Sequence, residues 1–70
     1  MTPERATPAQ LRVRAASLDR KANENALAGL HYAARTQRAH ANTLRQLARE
    51  AVEFQHRLAA ERMSAERMVA

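Results

Sequence analysis

Arginine side chains without neighbouring carboxylates are the feature of this sequence best suited to binding chemistry. Between Glu24 and Glu50 there is no acidic residue, while four arginines fall in that stretch. With one histidine they recur at steps of four, three, seven and four residues, spacings that place side chains on shared helix faces. Guanidinium groups form paired hydrogen bonds with carboxylates and with phosphates. The predicted partner-binding patch consists of His31, Arg35, Arg38, Arg45 and Arg49.

Three interpretations of this basic patch stay open at the level of sequence. A solvated face that aids solubility is the plainest one. An acidic or mixed surface on a partner protein is preferred over nucleic acid, because lysine is almost absent and Tyr32 is the only aromatic residue near the patch. We also find no convincing helix-turn-helix signature and no set of aromatic residues for stacking on bases.

A metal site is the next chemistry to consider, because Glu53 and His56 have the Glu-x-x-His spacing of di-iron helical bundles. Such sites need two further glutamates that project into the core. Here Phe54 and Leu58 mark the inward side, and Glu53 belongs to a ladder of alternating charges from Arg49 onwards. The three histidines are nine and sixteen residues apart and do not fall together as ligands would. We therefore expect no metal and no cofactor.

Catalytic groups are equally scarce. Ser17 and Ser64 are the only serines, and neither lies in a nucleophile motif or near a plausible base. The sequence has no glycine-rich phosphate loop. We expect no catalytic residue and predict that the protein is not an enzyme.

Helices must position these side chains, and the first helix has a clear start. Thr7 is a good N-cap, Pro8 suits the first helical position, and Gln10 completes a capping box. The polar residues before this point predict a disordered tail over 1–6, ahead of one helical domain over 7–70.

The end of the first helix is less clearly marked. Apolar residues recur at helical spacing in two series, which are separated by a segment over 35–43 without a large apolar side chain. Thr43 and Gln46 form a second capping box in that segment. These signals predict an all-α helical hairpin with a helix over about 8–38, a turn over about 39–42 and a helix over about 43–68.

Two alternatives to this hairpin remain. The predicted turn lacks glycine and proline, so the chain is also compatible with one continuous helix. Asparagines at 23 and 25 are poor mid-helix residues, and a break there would give three helices. The single glycine, Gly29, is interpreted as a close approach between helices or as a kink.

The apolar residues available for a core are few. Beyond the start methionine the sequence has 14 large apolar residues and 17 alanines, and it has no cysteine. A single hairpin would leave its apolar side half exposed, so we expect a homodimer that forms a four-helix bundle. In length and order of elements this layout resembles the small helical-hairpin dimers that regulate plasmid copy number. The predicted core and dimer residues are Leu11, Leu18, Leu30, Leu44, Leu47, Phe54 and Leu58.

The functional expectation follows from these features. Nothing at the start of the sequence has the pattern of a signal peptide, and no apolar run is long enough to span a membrane, so we expect a cytoplasmic protein. The size, the alanine content and the preference for arginine suggest a phage- or plasmid-encoded inhibitor or anti-activator that docks on a partner protein. The alternatives are a nucleic-acid-binding regulator that uses Arg35–Arg49, and a structural or assembly subunit.

Overall fold

Two α-helices make up the part of the chain that the structure describes. The computed structural model describes residues 6–69, with side chains up to Met68. Helix α1 spans Pro8–Leu27 and has 20 residues, and helix α2 spans His31–Val69 and has 39 residues. The two helices pack against each other, and residues 6–69 include no β-strand. The predicted all-α hairpin is confirmed, whereas residues 1–5 of the predicted tail lie outside the described residues.

The start of α1 is the one predicted from the sequence. The Thr7 backbone N–H donates to Gln10 Oε1 at 2.8 Å, and the Gln10 N–H donates to Thr7 Oγ1 at 3.1 Å. Pro8 occupies the first helical position, where a missing N–H costs no hydrogen bond. The capping box at Thr7 is therefore confirmed.

The connection between the helices is built around the single glycine. Gly29 has φ +82°, a left-handed conformation that disfavours side chains with a Cβ. The Gly29 N–H donates to the Ala26 carbonyl at 3.1 Å, and the Leu30 N–H donates to the Asn25 carbonyl at 2.7 Å. These two bonds form a Schellman motif, which satisfies carbonyls left free at the end of α1. Gly29 is thus the helix terminator, and its interpretation as a kink or a close approach was wrong.

The predicted turn over 39–42 was wrong, because α2 continues through it without a break. The Thr43 hydroxyl donates to the Ala39 carbonyl at 3.1 Å, as a threonine does inside a helix. The Gln46 amide donates to Glu50 Oε1 at 3.3 Å instead of reaching back to a cap. The helices predicted over 8–38 and 43–68 are therefore misplaced, and both the single-helix and the three-helix alternatives are also excluded.

Alanines form most of the contact between α1 and α2. Over residues 6–68, five of the six buried side chains are alanines and the sixth is Leu44, which is 8% exposed. Small side chains let helix backbones approach closely, so the packing depends on shape more than on buried apolar volume. Leu11 and Leu18 lie partly buried along the edge of this contact. The buried alanines are Ala15, Ala22, Ala34, Ala41 and Ala48.

A polar contact between the helices fixes their register near the connection. Asn25 Nδ2 donates to Gln37 Oε1 at 2.8 Å, and both side chains are half-buried. A register shift would leave these amides without their partners, at a cost of roughly 1–3 kcal/mol. Asn25 is therefore a register residue that lies within α1, and no helix break occurs at this position.

The difference in helix length divides α2 into two parts. Its inner half, residues 31–52, contains every buried or half-buried residue of α2 among the side chains that the structure describes. Its outer half, residues 53–69, has an exposed side chain at every position from 53 to 68. At a rise of about 1.5 Å per residue, the outer half extends about 26 Å beyond the cover that α1 provides.

Candidate protein-binding surface

The five residues of the predicted basic patch all lie on the inner half of α2. Because α2 is continuous there, an advance of about 100° per residue places them within about 80° of one another around the helix. We call this row the basic face: His31, Arg35, Arg38, Arg45 and Arg49. The row starts next to the connection between the helices and runs about 27 Å along the axis of α2.

Two arginines of the basic face are held in place by α1. Arg45 forms an ion pair with Asp19, and both side chains remain about two-fifths exposed. Arg38 Nη2 donates to Asn23 Oδ1 at 3.3 Å. Within its own helix, Arg45 also donates to Asn42 Oδ1 at 3.2 Å. These bonds orient the guanidinium groups while leaving them accessible to solvent.

One further arginine belongs to this surface and was missed by the sequence analysis. Arg12 of α1 lines, together with Ala16, Arg45 and Arg49, an open groove of about 470 Å³. Among the described residues Asp19 is the only carboxylate that forms an ion pair with this set. The sequence does contain a pattern that points to Arg12. Arg12, Asp19 and Asn23 are spaced by seven and four residues, so they share one side of α1. This pattern could be used only once the end of α1 was known.

The other edge of the α1–α2 contact is mainly apolar. Here Arg14, Ser17 and Leu18 of α1 and His40 and Leu44 of α2 line a groove of about 300 Å³. Three more large side chains continue this edge along α2, at helical angles within about 40° of one another. We call these three the apolar face: Leu47, Phe54 and Leu58, which are 46%, 54% and 38% exposed.

The predicted core and dimer residues therefore divide into three groups. Leu11, Leu18 and Leu44 lie in or beside the contact between the helices. Leu30 lies in the connection and is 56% exposed, so it takes no part in the core of the single chain. The apolar face has no partner within the described residues, and its role as a dimer contact stays a prediction.

The residues considered for catalysis and metal binding are spread along the molecule. Ser17 lies half-buried in the groove with His40, while Ser64 is exposed on the outer half of α2. Glu53 and His56 are exposed on the same outer half. Among the described residues, no three His, Asp or Glu side chains come together as a metal-binding group. Over the same residues, neither helix carries an apolar segment of membrane-spanning length.

Comparison with protein-family models, with curated proteins and with solved structures finds no match for this chain. The geometry of the two faces is therefore the basis for proposing a function. The basic face offers oriented, exposed hydrogen-bond donors, and the apolar face offers uncovered large side chains. Both are properties of binding surfaces.

Proposed function

We propose that this chain is a small non-enzymatic binding protein, which modulates a partner protein by docking its basic face on an acidic surface. The observation that carries the proposal is the continuity of α2 over residues 31–49. It gathers five basic side chains into one row, and four of them are exposed while Arg45 is half-buried. A row about 27 Å long matches the length of a helix or a strand edge on a partner. Covering such a surface is the action of an inhibitor or an anti-activator.

The fixed geometry of the arginines supports a protein partner. The bonds from Asp19 and Asn23 hold Arg45 and Arg38 before any ligand arrives, so less side-chain entropy is lost on binding. Guanidinium groups held in this way form paired hydrogen bonds with carboxylates at defined positions. The chain would therefore bind a surface whose carboxylates match the spacing of these arginines more tightly than a surface that only has a negative charge.

The positions of the aromatic residues argue against nucleic acid as the main ligand. The sequence contains one tyrosine and one phenylalanine. Tyr32 lies about 110° around α2 from the centre of the basic face, and Phe54 lies on the apolar face. Neither is placed to stack on bases beside the arginines, as single-strand binders require. Contacts to phosphate alone would give weak binding to duplex DNA that falls steeply with salt.

The test compares two variants of equal net charge. The face variant replaces Arg35, Arg38, Arg45 and Arg49 with Gln. The control variant replaces with Gln four basic residues that lie off the basic face: Arg20, Lys21, Arg62 and Arg67. Helical peptides selected from a random display library for binding to the native chain serve as protein probes, and a 20-base-pair duplex of mixed sequence serves as the nucleic-acid probe.

We expect the selected peptides to carry recurrent Asp or Glu, to lose at least about tenfold in affinity for the face variant, and to keep their affinity for the control variant. Tenfold corresponds to one charge-assisted contact, at about 1.4 kcal/mol. Peptides that bind the face variant as well as the native chain would show that the basic face is only a solvated surface. Duplex binding at physiological salt that is tighter than any peptide, and is lost in the face variant, would identify nucleic acid as the ligand.

A further inference from the structure

We infer that the apolar face is covered by a second copy of this chain, whose α2 runs antiparallel to the first so that three helices lie side by side at each end of the dimer. This inference is independent of the proposed function, because the two faces lie on opposite sides of α2, about 160° apart. It also differs from the four-helix bundle expected from the sequence.

The lengths of the helices are the first argument. Helix α1 covers residues 31–52, whereas the side chains at 53–68 are all exposed, so α2 is covered over slightly more than half of its length. A two-fold axis near residue 52 would place the outer half of each α2 beside the inner half of the other. Each outer half would then lie in the groove between α1 and α2 of the second copy. No large part of either α2 would remain without a neighbouring helix.

The spacing of apolar residues is the second argument, because it selects a register. Along α2 apolar residues recur at alternating steps of three and four from Leu44 to Met68, with Glu61 as the one interruption, as in a coiled-coil seam. Pairing Phe54 with Ala51 of the second copy sets the large ring against a small side chain. The same register pairs Leu47 with Leu58. The four contacts related by the axis then bury the whole apolar face.

Charge complementarity is the third argument. In this register Glu61, which interrupts the apolar seam, comes opposite the groove of the second copy that Arg14 and His40 line. At the border of the seam Glu50 comes opposite Arg57 of the second copy, and the symmetry repeats this pair. Seam-border charges of this kind set partner choice and orientation in coiled coils.

The contact is also large enough for a stable dimer. In this register the two α2 helices overlap for about 50 Å, and a helix is about 10 Å wide, so their contact buries about 1,000 Å² in total. The two contacts between α1 and the outer half of the second copy add about as much again. The sum lies at the upper end of the range for specific interfaces, about 1,200–2,000 Å².

Pulsed electron paramagnetic resonance tests the arrangement directly, because the chain has no cysteine and single spin labels can be attached cleanly. Glu53→Cys lies beside the predicted axis, and Arg67→Cys lies near the end of α2. We expect a label-to-label distance of roughly 20 Å at position 53 and about 45 Å at position 67. Short distances at both positions would indicate a parallel pair and overturn the inference. So would a sedimenting mass of 7.9 kDa at 100 μM, the mass of one chain.

Two sets of variants test the named contacts. Phe54→Glu and Leu58→Glu should each weaken dimerisation at least 100-fold, and the hairpin should stay helical because both side chains are exposed in the single chain. Met63→Glu is the matched control, since Met63 is exposed on the other side of α2 and should leave the dimer unchanged. Arg14→Glu and Glu61→Arg should each weaken the dimer, and the double variant should restore it. Equal effects of Met63→Glu and Phe54→Glu, or no restoration in the double variant, would refute this register.

Discussion

The inner and outer halves of α2 differ in burial although they belong to one helix of similar composition. Apolar residues continue at the same spacing through both halves, yet the buried side chains of α2 are Ala34, Ala41, Leu44 and Ala48, all in the inner half. The outer half keeps its apolar side chains exposed from 53 to 68. The sequence pattern therefore shows which side of a helix is suited to burial. Whether burial happens depends on how far the neighbouring helix reaches.

The largest loss of stability is expected from a charge placed in the inner half. Ala41→Glu should destabilise the hairpin by about 3 kcal/mol or more, because a larger, charged side chain must enter a contact where Ala41 is fully buried. Ala60→Glu makes the same change at an exposed position of the outer half and should cost less than about 0.5 kcal/mol. Urea denaturation followed by circular dichroism measures both. Similar losses in the two variants would contradict the division of α2.

Removing the helix terminator should have the next largest effect. Gly29→Ala forces a side chain into a left-handed conformation, at a cost of roughly 1–2 kcal/mol. The site is sterically open, since a Cβ there would meet no atom within 4 Å beyond its two neighbours in the chain, so backbone strain is the source of the loss. Ala28→Gly is the control, because the φ of Ala28 is −82° and glycine relieves nothing there. Unchanged stability in Gly29→Ala would show that the connection is not built as described.

The two Thr-x-x-Gln segments should differ in how much their threonines contribute to stability. Thr7→Ala should cost about 1 kcal/mol, because the side chain of Thr7 caps the first turn of α1. Thr43→Ala should be neutral or slightly stabilising, because Thr43 is exposed inside α2 and alanine has the higher helix propensity. Thermal unfolding of both variants in parallel measures the difference. Equal losses would mean that residue 43 acts as a cap after all.

The smallest effect is expected at the ion pair that joins α1 to the inner half. Asp19→Asn should lower the free energy of unfolding by less than about 1 kcal/mol, because both partners are partly exposed. The loss should disappear at about 1 M salt, where the Debye length is about 3 Å. Glu24→Gln is the control, since Glu24 forms no ion pair within the described residues. A loss that persists at high salt would show that packing, and not charge, is involved.

Much of this molecule could be predicted from the sequence, because several signals are local. The helical class follows from the spacing of apolar residues. The start of α1 follows from Thr7 and Gln10, which hydrogen-bond to each other, and from Pro8 at the first helical position. The basic face could be named residue by residue, since its spacing is helical whether or not a turn intervenes. Its arrangement as a single row could not be predicted while the turn was misplaced.

The position of the connection is where sequence reasoning failed, and the cause is physical. A Thr-x-x-Gln segment is a cap only where the threonine itself has an extended backbone, as Thr7 has. At Thr43 the helix supplies the Ala39 carbonyl as a partner, so the same residues support a continuous helix. Gly29 was the residue that marked the end of α1, because a residue in the left-handed conformation ends a helix even where no proline follows. Arg12 lies beside the basic face only because α1 ends at Leu27, so its place on this surface could not be predicted while the connection was misplaced.

The alanine contact between α1 and α2 determines how the hairpin responds to temperature. The heat-capacity change on unfolding is proportional to the apolar area that unfolding exposes. Alanines supply five of the six buried side chains, so this area is small for a chain of 70 residues. The stability curve should consequently be shallow, with a broad melting transition, a low urea m-value and little loss of structure on cooling. Such a protein keeps a nearly constant, modest stability over a wide range of temperature.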